Sequence, residues 1–469
     1  MPVLEIPSVV LSAEPHENDM PAVDAYIAQL MARCSSADGS GYSLEQLEEA
    51  SRQQLEALRP ASVRDAPVRH IGTVVAKTVT DCLFRCKYPC YEYQDESWRA
   101  LPPVMSDEVV AKLGQRIGEY AARNQLGEMN VIFHGGEPLY MRQPEVYYDR
   151  IIPLLRDAVA AEAPDLNIRL GMVTLGALLR PAILDVLLKH NVGVRVSVDG
   201  GQQSHDSRRV TKEGGRGTHQ LVMRGLDYLR LPEYRPIYAS ILAVVNIDAD
   251  PIQFYNDLLA LEPPRINLFW AHATHDKPPA APTDPSRRTP TAYAEWMLPI
   301  FWRWRSDPNA PKIPIFSSIM RLALGGTSET EHIGPEAGDE VVVRTDGSVE
   351  DLDALKVAGE GIVATGMNVA THSFEQVAEV LRGSGHLGTK PVAADCRDCP
   401  VLGICGGGHI AQRFSSERPD DPFNNASVYC PDLKKLTGTI GRATRSSVLD
   451  AMVGVLRARG VPTSPQGCC

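Results

Sequence analysis

From residue 71 to about residue 270, short β-branched runs alternate with longer amphipathic runs, and this alternation limits the possible fold more than any other feature. Strands are predicted over 73–80, 130–134, 168–173, 194–198, 237–245 and 266–270. Helices are predicted over 107–124, 145–161, 181–190, 218–229 and 251–261. Such alternation builds a parallel sheet with helical crossovers, so the expected fold class is α/β. Six strands are consistent with a partial (β/α)6 barrel, and an open doubly wound sheet has the same pattern. In parallel barrels the chemistry sits at the C-terminal ends of the strands, so the residues just after each strand carry the most information.

Outside this region the chain divides further. Residues 1–70 show helical spacing and are expected to form a helical extension, and residues 71–290 the barrel. Residues 277–290 are Pro-rich and read as a linker. Residues 291–385 form a bridging region with a helix near 293–305, then a strand, a turn at Asp346-Gly347 and a second strand. Residues 386–469 hold the last cysteines.

The net charge is −11, from 47 basic and 58 acidic residues. An acidic chain repels phosphate backbones, so nucleic acid is not expected as a partner. No apolar run reaches the roughly 20 residues of a membrane-spanning helix, and residues 1–20 lack a basic stretch of the secretory kind. A cytoplasmic protein without a membrane partner is expected. Clustered cysteines then favour metal binding or catalysis over disulfides.

Three of the ten cysteines, Cys82, Cys86 and Cys90, follow the first predicted strand. Three thiolates hold a [4Fe–4S] cluster through three irons and leave the fourth open to a reacting ligand. A zinc site or a redox thiol group would use the same residues. Cys396, Cys399, Cys405 and Cys430 supply four thiolates, enough for a closed site, with Gly406, Gly407 and Gly408 directly after Cys405. A zinc knuckle is the alternative there.

After the second strand comes Phe133-His-Gly-Gly-Glu-Pro-Leu-Tyr140, and after the fourth Val196-Ser-Val-Asp-Gly200 with His205-Asp206 and Arg208-Arg209. With the first cysteine cluster, these segments resemble the radical S-adenosylmethionine (SAM) superfamily. The usual spacing in that family is C-x3-C-x2-C, whereas this chain has C-x3-C-x3-C, with Tyr88 and then Pro89 before Cys90. Leu175 stands where the family often has Asn. The four-cysteine segment resembles a reduced SPASM domain. Together with Trp270-Ala-His-Ala-Thr-His-Asp276, the whole looks closest to maturases that form three-residue cyclophanes in ribosomally made peptides.

The resemblance implies a radical SAM partial barrel followed by a SPASM-like auxiliary iron–sulfur domain. It implies a [4Fe–4S] cluster on Cys82, Cys86 and Cys90 that binds SAM and cleaves it to a 5′-deoxyadenosyl radical. One auxiliary [4Fe–4S] cluster is expected on Cys396, Cys399, Cys405 and Cys430. SAM contacts are expected from Tyr88, Gly135, Gly136, Glu137, Ser197 and Asn246. The implied reaction removes a side-chain hydrogen from a precursor peptide and joins the carbon to a nearby aromatic ring. The auxiliary cluster would accept the electron, and Asp199, His272, His275 or Asp276 would act as base, since a base must lie within hydrogen-bond reach of its proton. For Asp199 a turn-stabilising role is the alternative. An electron donor such as flavodoxin or ferredoxin is also implied. Radical SAM oxidation or epimerisation of a peptide residue, and a non-catalytic metal-bound scaffold, are the other readings.

Overall fold

The structure is a computed structural model that describes residues 69–458 apart from 89 and 91–93, with side chains as far as residue 447. Nearly all of the expected helical extension, and Cys34, Cys468 and Cys469, lie outside the described residues. Eleven strands form: β1 (Thr73–Val79), β2 (Phe84–Cys86), β3 (Glu128–Gly135), β4 (Asn167–Thr174), β5 (Val192–Ser197), β6 (Arg209–Thr211), β7 (Tyr238–Val244), β8 (Ile266–Phe269), β9 (Glu340–Val343), β10 (Ser348–Glu350) and β11 (Ala364–Asn368).

The six strands expected from the sequence are β1, β3, β4, β5, β7 and β8, and they lie side by side in chain order, each parallel to the next. A doubly wound sheet reverses its strand order at a switch point. This sheet has no reversal, and among the described residues no ladder closes it into a full barrel. The fold is thus α/β with a parallel sheet of the partial-barrel order.

The crossover helices begin where local chemistry starts them. Ser106 caps Asp107–Asn124 by accepting the Val109 N–H, and Asp250 caps Pro251–Leu259 by accepting that of Gln253. The buried residues of Asp107–Asn124 include Val110, Leu113, Ile117 and Ala121, one apolar stripe at helical spacing. On β5 burial alternates: Val192, Val194 and Val196 are buried, while Arg195 and Ser197 line a central cavity.

The bridging region contributes more to the sheet than its pattern foretells. The turn at Asp346-Gly347 is present, with Gly347 at φ 82° and its N–H donating to the Arg344 carbonyl at 2.9 Å. The strand before the turn, β9, pairs in parallel with β1, from Thr73 opposite Glu340 to Ala76 opposite Val343. A seventh parallel strand is thereby added, with β10 and β11 antiparallel beyond it.

The C-terminal segment docks on the far end of the sheet. Tyr429 is fully buried, donates its hydroxyl to the Ala271 carbonyl at 2.7 Å, and has its ring 5.0 Å from those of Trp270 and Tyr293. Each aromatic pair contributes about 1 kcal/mol beyond area burial. The helix Cys430–Ala458 follows and packs on helices Ala292–Arg305 and Pro314–Ala323.

Candidate active site and thiol clusters

Cys82, Cys86 and Cys90 all line a cavity of about 480 Å³ at the C-terminal ends of the parallel strands. Cys86 lies on β2, which pairs antiparallel with β6 and sets Cys86 opposite Arg209. A hydrogen bond from Cys90 and the charge of Arg209 pull the Cys86 thiol down to about 6, against the opposing effect of burial. Thiolate is the metal-binding form, so the site is set for a metal centre. Tyr88 also lines the cavity, with the Arg208 and Arg209 guanidinium groups 5.0 and 5.4 Å from its ring centre.

The loop after β3 forms the next wall. Gly135 has φ 141°, and a Cβ there would stand 2.1 Å from the Val79 carbonyl oxygen. This glycine is required first by the neighbouring strand. The Gly136 N–H donates to Val79 and the Glu137 N–H to Asp81, which ties the loop to the entry of the cysteine segment. Glu137 is fully buried and accepts three hydrogen bonds, from the Thr174 hydroxyl (2.6 Å) and the N–H groups of Leu175 (2.6 Å) and Leu139 (3.2 Å). A carboxylate has about four acceptor positions, so one remains for an ammonium group. Burial pushes its pKa up to about 7, which its three donors only partly offset. Leu175 presents an apolar side chain to the cavity where the family pattern has an amide.

The opposite wall holds acid–base residues, several of which sequence reasoning missed. His272, Glu331, His332, Glu340 and Asp353 line the cavity. The His272 ring lies 5.9 Å from that of His332 and 5.0 Å from that of His409, and His409 Nε2 is 3.2 Å from Glu331 Oε1. Burial and the neighbouring imidazoles hold His272 well below the usual histidine range and His332 at about 3. Both are therefore neutral at pH 7, and the same burial and neighbouring imidazoles disfavour their protonated forms. The one advance signal was His409, four residues after Cys405; residues 331–332 sit in a loop without periodicity.

Of the other expected residues, Ser197 lines the cavity. Asp199 does not: it is fully buried, bound twice by Arg209 and once by the Val244 N–H. Its place is behind the wall, as a support. Asn246 lies in an adjoining cleft of about 910 Å³ that shares Tyr88, Ala271 and His272 with the cavity, and it donates to Ser204. His275 and Asp276 are exposed and clasp the C-terminal segment, through the Ala426 carbonyl (2.8 Å) and the Ser416 N–H (3.0 Å). Thus of the four expected bases, His272 alone reaches the cavity, because the chain turns outward directly after it.

Cys396, Cys399, Cys405 and Cys430 surround a separate small pocket with Gly407, Ser427 and Leu433. Gly406 has φ 62°, and a Cβ there would stand 1.7 Å from the Gly334 carbonyl oxygen, so only glycine fits. Burial raises the Cys405 thiol to about 11, so a thiolate persists there only when bound to metal. Arg413, 1% exposed, donates to the carbonyls of Gly406, Gly407 and Pro391. Lys390 donates to those of Glu331 and Gly408. Among the described residues neither cation pairs with a carboxylate within 4 Å, and two buried cations beside four thiols suit a centre of net negative charge. Among the described residues, no three His, Cys, Asp or Glu side chains already converge as a single-ion site does.

Comparison with known proteins agrees with this arrangement. Residues 77–243 match the family model described as the radical SAM superfamily. The chain is 24% identical over 369 residues to the serine-type anaerobic sulfatase-maturating enzyme of Bacteroides thetaiotaomicron, covering 73% of this chain and 83% of that protein. The structure of native anSMEcpe with bound AdoMet and the Cp18Cys peptide superposes with a TM-score of 0.66 at 19% identity, over 81% of this chain and 99% of that one. Streptococcus suis SuiB bound to S-adenosylmethionine gives 0.51 at 12% identity, over 88% and 87%. The fold is shared with both.

Over residues 77–243, which carry the cysteine loop and β2 to β6, the chain is similar to radical SAM superfamily enzymes. Enzymes of this superfamily use a [4Fe–4S] cluster and SAM, which together supply a carbon-centred radical when bound. Cys82, Cys86 and Cys90 would hold such a cluster, and Glu137, Ser197 and Tyr88 line the same cavity. The four C-terminal thiols are consistent with an auxiliary cluster. Among the described residues no helix is long and apolar enough to cross a membrane.

Proposed function

We propose that this enzyme matures a ribosomally made precursor peptide by joining a side-chain Cβ to a nearby aromatic ring. The observation that carries this reading is the placing of His272. It stands on the wall shared by the thiol-lined cavity and the 910 Å³ cleft, which is large enough for an extended peptide segment. The similarity to a sulfatase-maturating enzyme, and to a fold solved with a bound peptide, supports a protein or peptide substrate.

In this reading the substrate loses one hydrogen atom at Cβ, and the carbon radical bonds to the ring. The ring then loses one electron and one proton to become aromatic again. His272, half-buried on the shared wall 5.9 Å from the His332 ring, takes the proton from the strongly acidic ring intermediate. The four C-terminal thiols would hold an iron–sulfur group, which would supply the acceptor for that electron. The cleft walls orient the peptide and exclude water.

The test is anaerobic co-expression with a candidate precursor peptide from the same locus, followed by tandem mass spectrometry. Loss of two hydrogens with a fragment-resistant block ending at an aromatic residue is the expected result. Loss of two hydrogens confined to one residue would assign a simple oxidation instead. An unchanged mass with deuterium uptake from heavy water would assign epimerisation.

A further inference from the structure

We propose that Arg413, with Lys390 as a second cation, sets the reduction potential of an iron–sulfur centre on Cys396, Cys399, Cys405 and Cys430, raising it so that the centre can take up an electron. The proposal rests on the cross-linking reading above for the source of that electron alone.

The three glycines after Cys405 carry the argument. Gly406, Gly407 and Gly408 stand at φ 62°, 79° and 72°, and the two cations take all three of their carbonyls. Arg413 donates through Nη2 to Gly406 at 2.6 Å and through Nε to Gly407 at 3.0 Å. Lys390 donates through Nζ to Gly408 at 3.0 Å. The N–H groups of Gly406 and Gly408 go to the carbonyls of Leu402 (2.7 Å) and Cys405 (3.1 Å). The Gly407 N–H is left for the Cys405 thiol, where it opposes the effect of burial. A Cβ at Gly407 would stand 2.4 Å from Arg413 Nη2, so guanidinium and glycine are fitted to each other.

Charge points the same way. Arg413 is 1% exposed and Lys390 4%, and a buried charge needs compensation. A guanidinium cannot shed its proton to escape that cost. The charge of Arg413 acts on Cys396 and Cys405 alike, and that of Lys390 on Cys405. Both cations thus address the thiols. A centre held by four thiolates gains a negative charge on reduction. Cations and N–H donors beside its sulfurs stabilise the reduced form more than the oxidised form, which raises the potential. In the cross-linking reaction the ring radical is oxidised by one electron and the centre is reduced by one. Lys390 also donates to the Glu331 carbonyl at 3.0 Å, and Glu331 lines the first thiol cavity. One cation is therefore anchored to both sites.

The test is a potentiometric titration of the anaerobically reconstituted full chain, read by electron paramagnetic resonance, and it needs no peptide. The signal of the second centre is the one that survives in a Cys82→Ala, Cys86→Ala, Cys90→Ala chain. The variants are Arg413→Gln, Arg413→Lys and Lys390→Met, compared at matched iron content. At the potential that half-reduces the wild-type centre, Arg413→Gln and Lys390→Met are each expected to lower the ratio of reduced to oxidised centre about tenfold, which is about 59 mV for one electron. Arg413→Lys keeps the charge and should recover most of that loss.

Where Arg413→Gln fails to hold iron, Lys390→Met decides alone. A wild-type ratio in the charge-removing variants with full iron would overturn the assignment. Equal losses in Arg413→Lys and Arg413→Gln would overturn it as well, since charge would not be the cause. So would a second site that carries zinc and gives no signal. The expected shift in a protein that makes no cross-link would uphold the assignment and count against the cross-linking reading alone.

Discussion

Arg209 grips Asp199 through two hydrogen bonds, Nε to Oδ2 at 2.7 Å and Nη2 to Oδ1 at 3.1 Å, while its guanidinium lies 5.4 Å from the Tyr88 ring centre. Asp199 thereby positions a group that faces Cys86 and Tyr88 without touching the cavity itself.

Asp199→Ala is expected to destabilise the protein by about 3 kcal/mol, since it strands a buried guanidinium. Burial opposes ionisation of Asp199, but the charge and hydrogen bonds of Arg209 outweigh it and hold the carboxyl below its ordinary value. Its contribution is thus present above about pH 4 and is lost as the pH falls further. Urea titrations at pH 7 and in mild acid, with iron content, check this; equal stability of variant and wild type would make the ion pair dispensable.

Glu137 has the opposite sign. Its folded pKa, about 7, lies above its ordinary value of 4.5, so the folded state keeps a proton that the unfolded chain releases. Stability from this group falls as the pH rises from 4.5 to about 7, by at most about 1.4 kcal/mol per unit. In the metal-free protein, Glu137→Gln should flatten that slope. Thermal melts at several pH values across the window measure it, and an unchanged slope would place the titration elsewhere.

Removing the imidazole at 272 should separate radical formation from product. His272→Ala is expected to keep 5′-deoxyadenosine formation within about twofold and to lower cross-linked peptide by roughly 100-fold, the usual reach of a positioned base. Product and deoxyadenosine are quantified together by chromatography. A variant that makes full product would leave proton removal to another group.

The two thiol sites should separate as well. Cys90→Ala removes one of the three thiols that line the cavity and, with Cys90 a ligand of the proposed SAM-binding cluster, should abolish SAM cleavage. Cys399→Ala should leave cleavage running while cross-linked product disappears. Circular dichroism and iron content must match wild type at the first site, because losing a closed metal site also unfolds its surroundings. Full product from a folded Cys399→Ala protein would make the second site structural.

The parallel strands were legible because each is a short apolar run bounded by turn residues and separated by amphipathic helices, a purely local signal. The thiols were legible because cysteine spacing is local too. The wall opposite the thiols was not. His272, Glu331 and His409 meet only after the chain has crossed the sheet and returned through Tyr429. His275 and Asp276 misled for the same reason: their strand end is legible, but the C-terminal segment that captures them is far away in sequence.

The pairing of β9 with β1 also sets an order of events during synthesis. The first thiols leave the ribosome early, yet their strand has a bare edge until residues 340–343 arrive to cover it. Iron delivered to a nascent chain would meet a half-built sheet, and a chain ending before residue 340 would keep that edge open to other strands. The strand that carries the chain into the first thiols is thus closed on one side by residues that arrive more than 250 positions later.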